Sequence, residues 1–164
     1  PAFAGEPVPR LDDFLRRLKG RVKIYCEIKQ ADAGRVVDML DDFAFGNDVF
    51  VSSFSADIHT DLRRIAPDLK RNVQLHVAGS LEHAIHHEQA HIFEFLEENV
   101  TREAIEEAKR RGLETMIFID TPNAELFANL VEWQIDYVNL DYAALFRAVQ
   151  QEVLLRFDGA GLES

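Results

Sequence analysis

Strand-patterned and helix-patterned segments alternate six times along this chain, and that alternation restricts it to an α/β fold. Period-two apolar spacing predicts strands at 21–29, 49–54, 73–77, 92–96, 115–120 and 137–140. Helical spacing and capping signals predict helices at 9–19, 33–43, 57–65, 80–89, 101–111, 124–133 and 142–155. Ser55 or Asp57 is expected to cap the third helix, and Thr101 to open the helix that Gly112 stops. Strand–helix–strand repetition implies right-handed crossovers and a parallel sheet. No Gly-x-Gly-x-x-Gly or Walker string follows any strand, which weighs against the nucleotide-binding members of the class. A complete (β/α)8 barrel takes about 250 residues. Six units in 164 residues therefore predict a partial barrel of the (β/α)8 TIM type, six of its eight βα units. It is read as one domain over residues 1–156, with a polar, Gly-rich tail at 157–164 that frays.

Charge narrows the partners. Eighteen Lys and Arg against 29 Asp and Glu leave a formal net charge of −11, which argues against binding a nucleic-acid backbone. The longest apolar runs are strand-sized, near 116–119, and fall short of the ~20 residues a membrane helix needs. Residues 1–10 lack the basic start and apolar core of a signal peptide. One cysteine, Cys26, excludes an internal disulfide and suits a reducing, cytoplasmic setting. The chain opens at Pro1; removal of an initiator Met and excision from a longer protein both account for that.

The strand at 21–29 carries the chemistry. Alternation puts Tyr25, Glu27 and Lys29 on one face and Ile24, Cys26 and Ile28 on the other. Helices cover the apolar face of a barrel strand, so Glu27 and Lys29 are expected to point inward near the carboxyl-terminal mouth. A metal-ligating carboxylate beside a phosphate-binding ammonium suits that position, and so does a plain ion pair. A second candidate is His87-Glu88-Gln89-Ala90-His91, a literal H-E-x-x-H. On a helix the two histidines would share a face and could hold zinc, with Glu88 as base of a metallopeptidase. Its polar surroundings between a helix and a strand fit solvated histidines better, as for His83 and His86 nearby. Glu94 reads as an exposed loop-end carboxylate in preference to one at the barrel mouth. His76 reads as a core histidine in preference to one lining the interior, and Trp133 as packing.

The residues 3–15, Phe-Ala-Gly-Glu-Pro-Val-Pro-Arg-Leu-Asp-Asp-Phe-Leu, resemble the G-E-x-I-P-T-L-E-E-x-L segment of glycerophosphodiester phosphodiesterases. The strand at 21–29 is similar to their N-I-E-I-K strand, Ser52-Ser53-Phe54 to their S-S-F, and Ala66-Pro67-Asp68 to their x-P-D helix exit. Residues 112–122 and 136–141 lie where that family has G-L-x-V-x-V-W-T-V-N and G-V-D-G-I-I-T-D. The resemblance implies a TIM barrel that hydrolyses glycerophosphodiesters to sn-glycerol 3-phosphate and an alcohol with a divalent cation, calcium or magnesium. It implies a metal ligand in Glu27 and a phosphate contact in Lys29. Phe118 stands at the family's substrate-cleft Trp, keeping an apolar wall without the indole donor. The family's next Asn is replaced by Asp120 or Thr121.

The family's His-Arg-Gly, Glu-x-Asp and His-Asp motifs, which carry the acid, the base and two metal carboxylates, do not occur in this sequence. The chain alone is therefore expected to be inactive and to bind a cation weakly or not at all. Two exposed sheet edges predict a homodimer or a partner fragment supplying the missing strands. A non-catalytic binding or oligomerisation domain is the alternative reading.

Overall fold

A computed structural model describes Gly5 and residues 7–160, the last three by backbone alone. The strands and helices expected above are met nearly throughout: the described residues form eight α-helices and six strands. The Cα framework divides into two compact units, one ending at Asn72 and the other beginning at Val73.

In the first unit, α1 (Leu11–Leu18) precedes β1 (Ile24–Glu27), α2 (Ala33–Asp42), a 3-10 turn (Gly46–Asp48), β2 (Val49–Ser52) and α3 (Ala56–Ile65). β1 and β2 pair in parallel, with Tyr25 opposite Phe50 and Glu27 opposite Ser52. Ile24, Ile28, Val49 and Val51 bury against Leu15, Val36, Val37, Leu40 and Leu62 from the helices. Cys26 packs on the same side, so Tyr25 and Glu27 occupy the opposite face. Asp32 caps α2 by accepting from the Arg35 amide, and Ser55, not Asp57, caps α3 by accepting from the Ile58 amide.

The second unit takes up β3 (Asn72–Gln74), which straddles the division, and continues through α4 (Leu75–Ala78), α5 (Leu81–His86), β4 (Ile92–Phe95), α6 (Arg102–Arg110) and β5 (Glu114–Ile119). It closes with α7 (Ala124–Glu132), β6 (Tyr137–Leu140) and α8 (Ala143–Ala160). The sheet order is β3-β4-β5-β6, and the β4–β5 and β5–β6 pairs are parallel. Phe93, Phe95, Ile117 and Ile119 bury against Ile105, Ala108, Phe127 and Leu130. Ser80, Thr101 and Asn123 cap α5, α6 and α7 through their side-chain oxygens.

Several expectations need correction. The third strand does not run to residue 77: the chain turns helical at Leu75 and ends that turn at Gly79, whose φ of +73° supplies a left-handed cap. Val73, Leu75 and Val77 mimic a strand by their alternation, while burial of Ala78 requires the helical path. His76 consequently sits exposed on α4, neither lining an interior nor buried in a core. Glu94 is buried, with 3% of its surface exposed, because it lies mid-strand and not at a loop end. The last helix also extends beyond residue 155 to Ala160. Residues 161–164 of the expected tail, like Phe3, Ala4 and Glu6 of the quoted motif, lie outside the described residues. No described helix is long and apolar enough to cross a membrane.

Candidate functional site

Parallel strands place all their carboxyl ends on one side of a sheet, and barrel enzymes build their sites there. In the first unit that end is organised by β1 and β2. Lys29 Nζ lies 3.5 Å from Oε1 of Glu27, with the lysine side chain 77% exposed and the glutamate 29%. That Oε1 atom is nonetheless buried and makes no hydrogen bond. Beneath it on the same face, the Tyr25 and Phe50 rings stack with centroids 5.0 Å apart.

Ser52 and Ser53 fix the strand ends around Glu27. The Ser52 hydroxyl, opposite Glu27 in register, donates to the Asn72 carbonyl at 3.1 Å. The Ser53 hydroxyl donates to the Ile28 carbonyl at 2.7 Å and accepts from the Ser55 amide at 3.1 Å. Buried His59 of α3 brings Nε2 within 2.7 Å of the Ser53 carbonyl, so its Nε2–H donates there. The S-S-F string thus ties β2 to both neighbouring segments, while its Phe54 remains exposed.

The second unit presents a separate feature at the carboxyl ends of β4 and β5. Phe118, 44% exposed between buried Ile117 and Ile119, lines a cleft of about 370 Å³ with Leu96, Glu97, Glu98, Asp120 and Thr121. Glu97 holds the loop after β5: its carboxylate accepts from the Asp120 amide at 3.2 Å and from the Thr121 hydroxyl at 2.9 Å. Lower in the sheet, Thr115 and Asp136 clamp β5 to β6, the Thr115 amide and hydroxyl both donating to Asp136 Oδ2.

The structure brings Glu27 and Lys29 together; Phe118 belongs to the other unit. It does not assemble the H-E-x-x-H string. α5 ends at His86, His87 is its C-cap, and Gln89 has φ of +50°, so His87 and His91 share no helical face. His83 stacks on His87 at 4.5 Å and lies 3.7 Å from Glu88. Glu82 instead joins His86 at 3.1 Å and takes a two-pronged bond from Arg111 that holds its carboxylate below the usual range. Burial pushes the Cys26 thiol up, away from a reactive thiolate. Among the described residues, no three His, Cys, Asp or Glu side chains converge on a common metal position.

Arg71 is a residue the pattern reading passed over. It is 1% exposed, and its Nη1 donates to the carbonyls of Ala66, Pro67 and Leu69 at 3.0–3.2 Å. The Pro67-Asp68 break after α3 is the signal that could have found it, because carbonyls left by a helix end need a donor.

Parallel β/α units with their polar groups at the strand carboxyl ends define a piece of a barrel of the TIM type. Comparison narrows this. The chain is 33% identical to a glycerophosphodiester phosphodiesterase from Agrobacterium tumefaciens str. C58, with a TM-score of 0.81 over 88% of this chain and 62% of that one. A Parabacteroides distasonis ATCC 8503 glycerophosphodiester phosphodiesterase shares the fold at 15% identity, TM-score 0.73, over 90% of this chain and 65% of that one. An Oleispira antarctica phosphodiesterase, solved with its product sn-glycerol-3-phosphate, does so at 14% identity and TM-score 0.59, over 71% and 48%. No family model and no curated protein sequence matches. The chain is a partial domain like that of the glycerophosphodiester phosphodiesterases, spanning less than two thirds of these relatives' length.

Proposed function

We propose that this chain supplies part of the site of a divalent-cation-dependent glycerophosphodiester phosphodiesterase. The observation that carries the reading is the buried Oε1 of Glu27, without a hydrogen bond and 3.5 Å from the Lys29 ammonium. A carboxylate oxygen left unbonded in a polar mouth suits a cation ligand better than a structural ion pair. Lys29, largely exposed, is placed to meet a phosphate oxygen. A bound calcium or magnesium ion would polarise the phosphoryl group. In the hydrolysis, water oxygen bonds to phosphorus, the bond to the alcohol oxygen breaks, and that oxygen takes a proton.

Glu27 fits as one ligand only, and hard cations require several oxygens. With no His-Arg-Gly or Glu-x-Asp in its sequence, the chain by itself does not complete the reaction. Activity then requires complementing strands, from another segment or through pairing of the β1 and β6 edges in a homo-oligomer. We place the protein in the cytoplasm, where Cys26 stays reduced.

Calorimetry with calcium, magnesium and sn-glycerol 3-phosphate tests this. We expect no cation site tighter than about millimolar. We also expect phosphate-ester binding that is lost in Lys29→Ala, and no release of glycerol 3-phosphate from a glycerophosphodiester. Hydrolysis by the chain alone that survives Glu27→Gln would overturn the reading. So would a tight cation site indifferent to Glu27→Ala.

A further inference from the structure

The first unit carries a surface patch that neither its core nor its candidate site uses. Residues 10–23 hold six Lys and Arg against two Asp, a net charge of +4 in a chain of −11. Both aspartates are already engaged, Asp12 by Arg10 at 3.0 Å and Asp13 by Arg16 at 2.7 Å. Lys19 donates to the Ala44 carbonyl and lies over the Phe45 ring, 5.0 Å from its centroid. Arg17, Arg21 and Lys23 remain, all exposed and with no carboxylate partner among the described residues. Two large apolar side chains sit among these cations. Leu11, Leu15 and Leu18 turn α1 into the core, whereas Phe14, one turn before Arg17, is 49% exposed. Val22, between Arg21 and Lys23 just ahead of β1, is 48% exposed.

Unpaired cations interleaved with exposed apolar groups make up surfaces that rest in the headgroup layer of a membrane. The cations meet anionic headgroups, and the apolar groups enter the acyl boundary. A nucleic-acid backbone would use the cations and leave Val22 without a role. We propose that α1 and the turn into β1 dock on an anionic lipid surface. Arg17, Arg21 and Lys23 supply the attraction, and Phe14 and Val22 the anchorage. The acidic remainder of the chain confines the contact to this patch. Lys23 precedes β1 and Glu27 ends it, so the docking turn and the carboxyl-terminal mouth lie at opposite ends of that strand. Docking there leaves Glu27 and Lys29 open to water, and it is independent of the hydrolase reading.

The test sediments the full chain with vesicles of phosphatidylcholine alone and of phosphatidylcholine and phosphatidylglycerol in equal parts. Binding is expected to the mixed vesicles and not to the neutral ones, and it should fall as salt is added. Arg17→Gln, Arg21→Gln and Lys23→Gln should each weaken it about fivefold, the effect of one cation at an anionic surface. Phe14→Ser should weaken it and leave the salt dependence as it is. Arg64→Gln, at an exposed arginine outside the patch, should change nothing. All these side chains are exposed, so the variants keep the fold. No sedimentation with mixed vesicles, equal sedimentation with neutral ones, or binding that survives the three cation substitutions combined would each overturn the proposal. So would an oligonucleotide that binds as tightly as the mixed vesicles.

Discussion

The Tyr137 hydroxyl donates a 2.8 Å hydrogen bond to Oε2 of Glu114, joining the start of β6 to the start of β5. Desolvation, then that bond, then the nearby Glu114 and Asp136 charges push the phenol up to about 12. With the folded value above the unfolded one near 10, the unfolded chain releases this proton first.

Stability from Tyr137 is therefore complete below about pH 10 and is lost as the pH rises towards about 12. Urea melts across that window should show a falling midpoint for the wild type and a shallower fall for Tyr137→Phe. Equal slopes in the two proteins would refute the assignment.

Removing Arg71 should cost the fold dearly. Arg71→Ala strands the carbonyls of Ala66, Pro67 and Leu69 and empties a buried volume, for a loss of about 3 kcal/mol. Chemical denaturation gives the figure directly. A loss within the range of ordinary surface substitutions would mean that water replaces the guanidinium.

Ser53→Ala deletes a donor to the Ile28 carbonyl and an acceptor for the Ser55 amide. We expect about 1–2 kcal/mol of destabilisation from these bonds. Hydrogen exchange should rise first at the Ser55 amide; unchanged protection there would contradict the bond.

Glu27 should behave in the opposite way. Its unbonded Oε1 burdens the fold, so Glu27→Gln or Glu27→Met should leave stability unchanged or raise it by about 0.5–1 kcal/mol. The same variants should abolish whatever cation response the chain has. A strongly destabilised Glu27→Met would make the Lys29 ion pair structural and remove the ligand reading.

The parts of the fold legible in the sequence were those written in local chemistry. Ser55 and Thr101 announce helix starts through their own side chains, and each accepts a first-turn amide. The facing of β1 was legible because four consecutive positions obey period two and Ile24 and Ile28 bury as required. Leu75 was not, because alternation and helical spacing coincide over so few residues. Arg71 and Glu94 escaped for a different reason. A charged residue is read as exposed unless its surroundings are known: Arg71 meets carbonyls two to five positions before it and Glu94 lies mid-strand, and no side-chain pattern displays either. Glu97 and Asp120, neighbours only across a strand pair, were invisible as joint lining of the Phe118 cleft.

Glu94 sits between Phe93 and Phe95, whose rings meet edge to face at 5.0 Å in the helix-side core while the carboxylate buries on the other face of β4. Sliding β4 by a single residue against β5 would drive the carboxylate into the phenylalanine layer and lift both rings out of it. Misaligned sheets would thus set the charge in an apolar layer and displace two aromatics, whereas the correct alignment keeps the buried carboxylate apart from the phenylalanine layer. The triplet acts as a proofreader of strand alignment, rejecting wrong pairings more than it strengthens the right one.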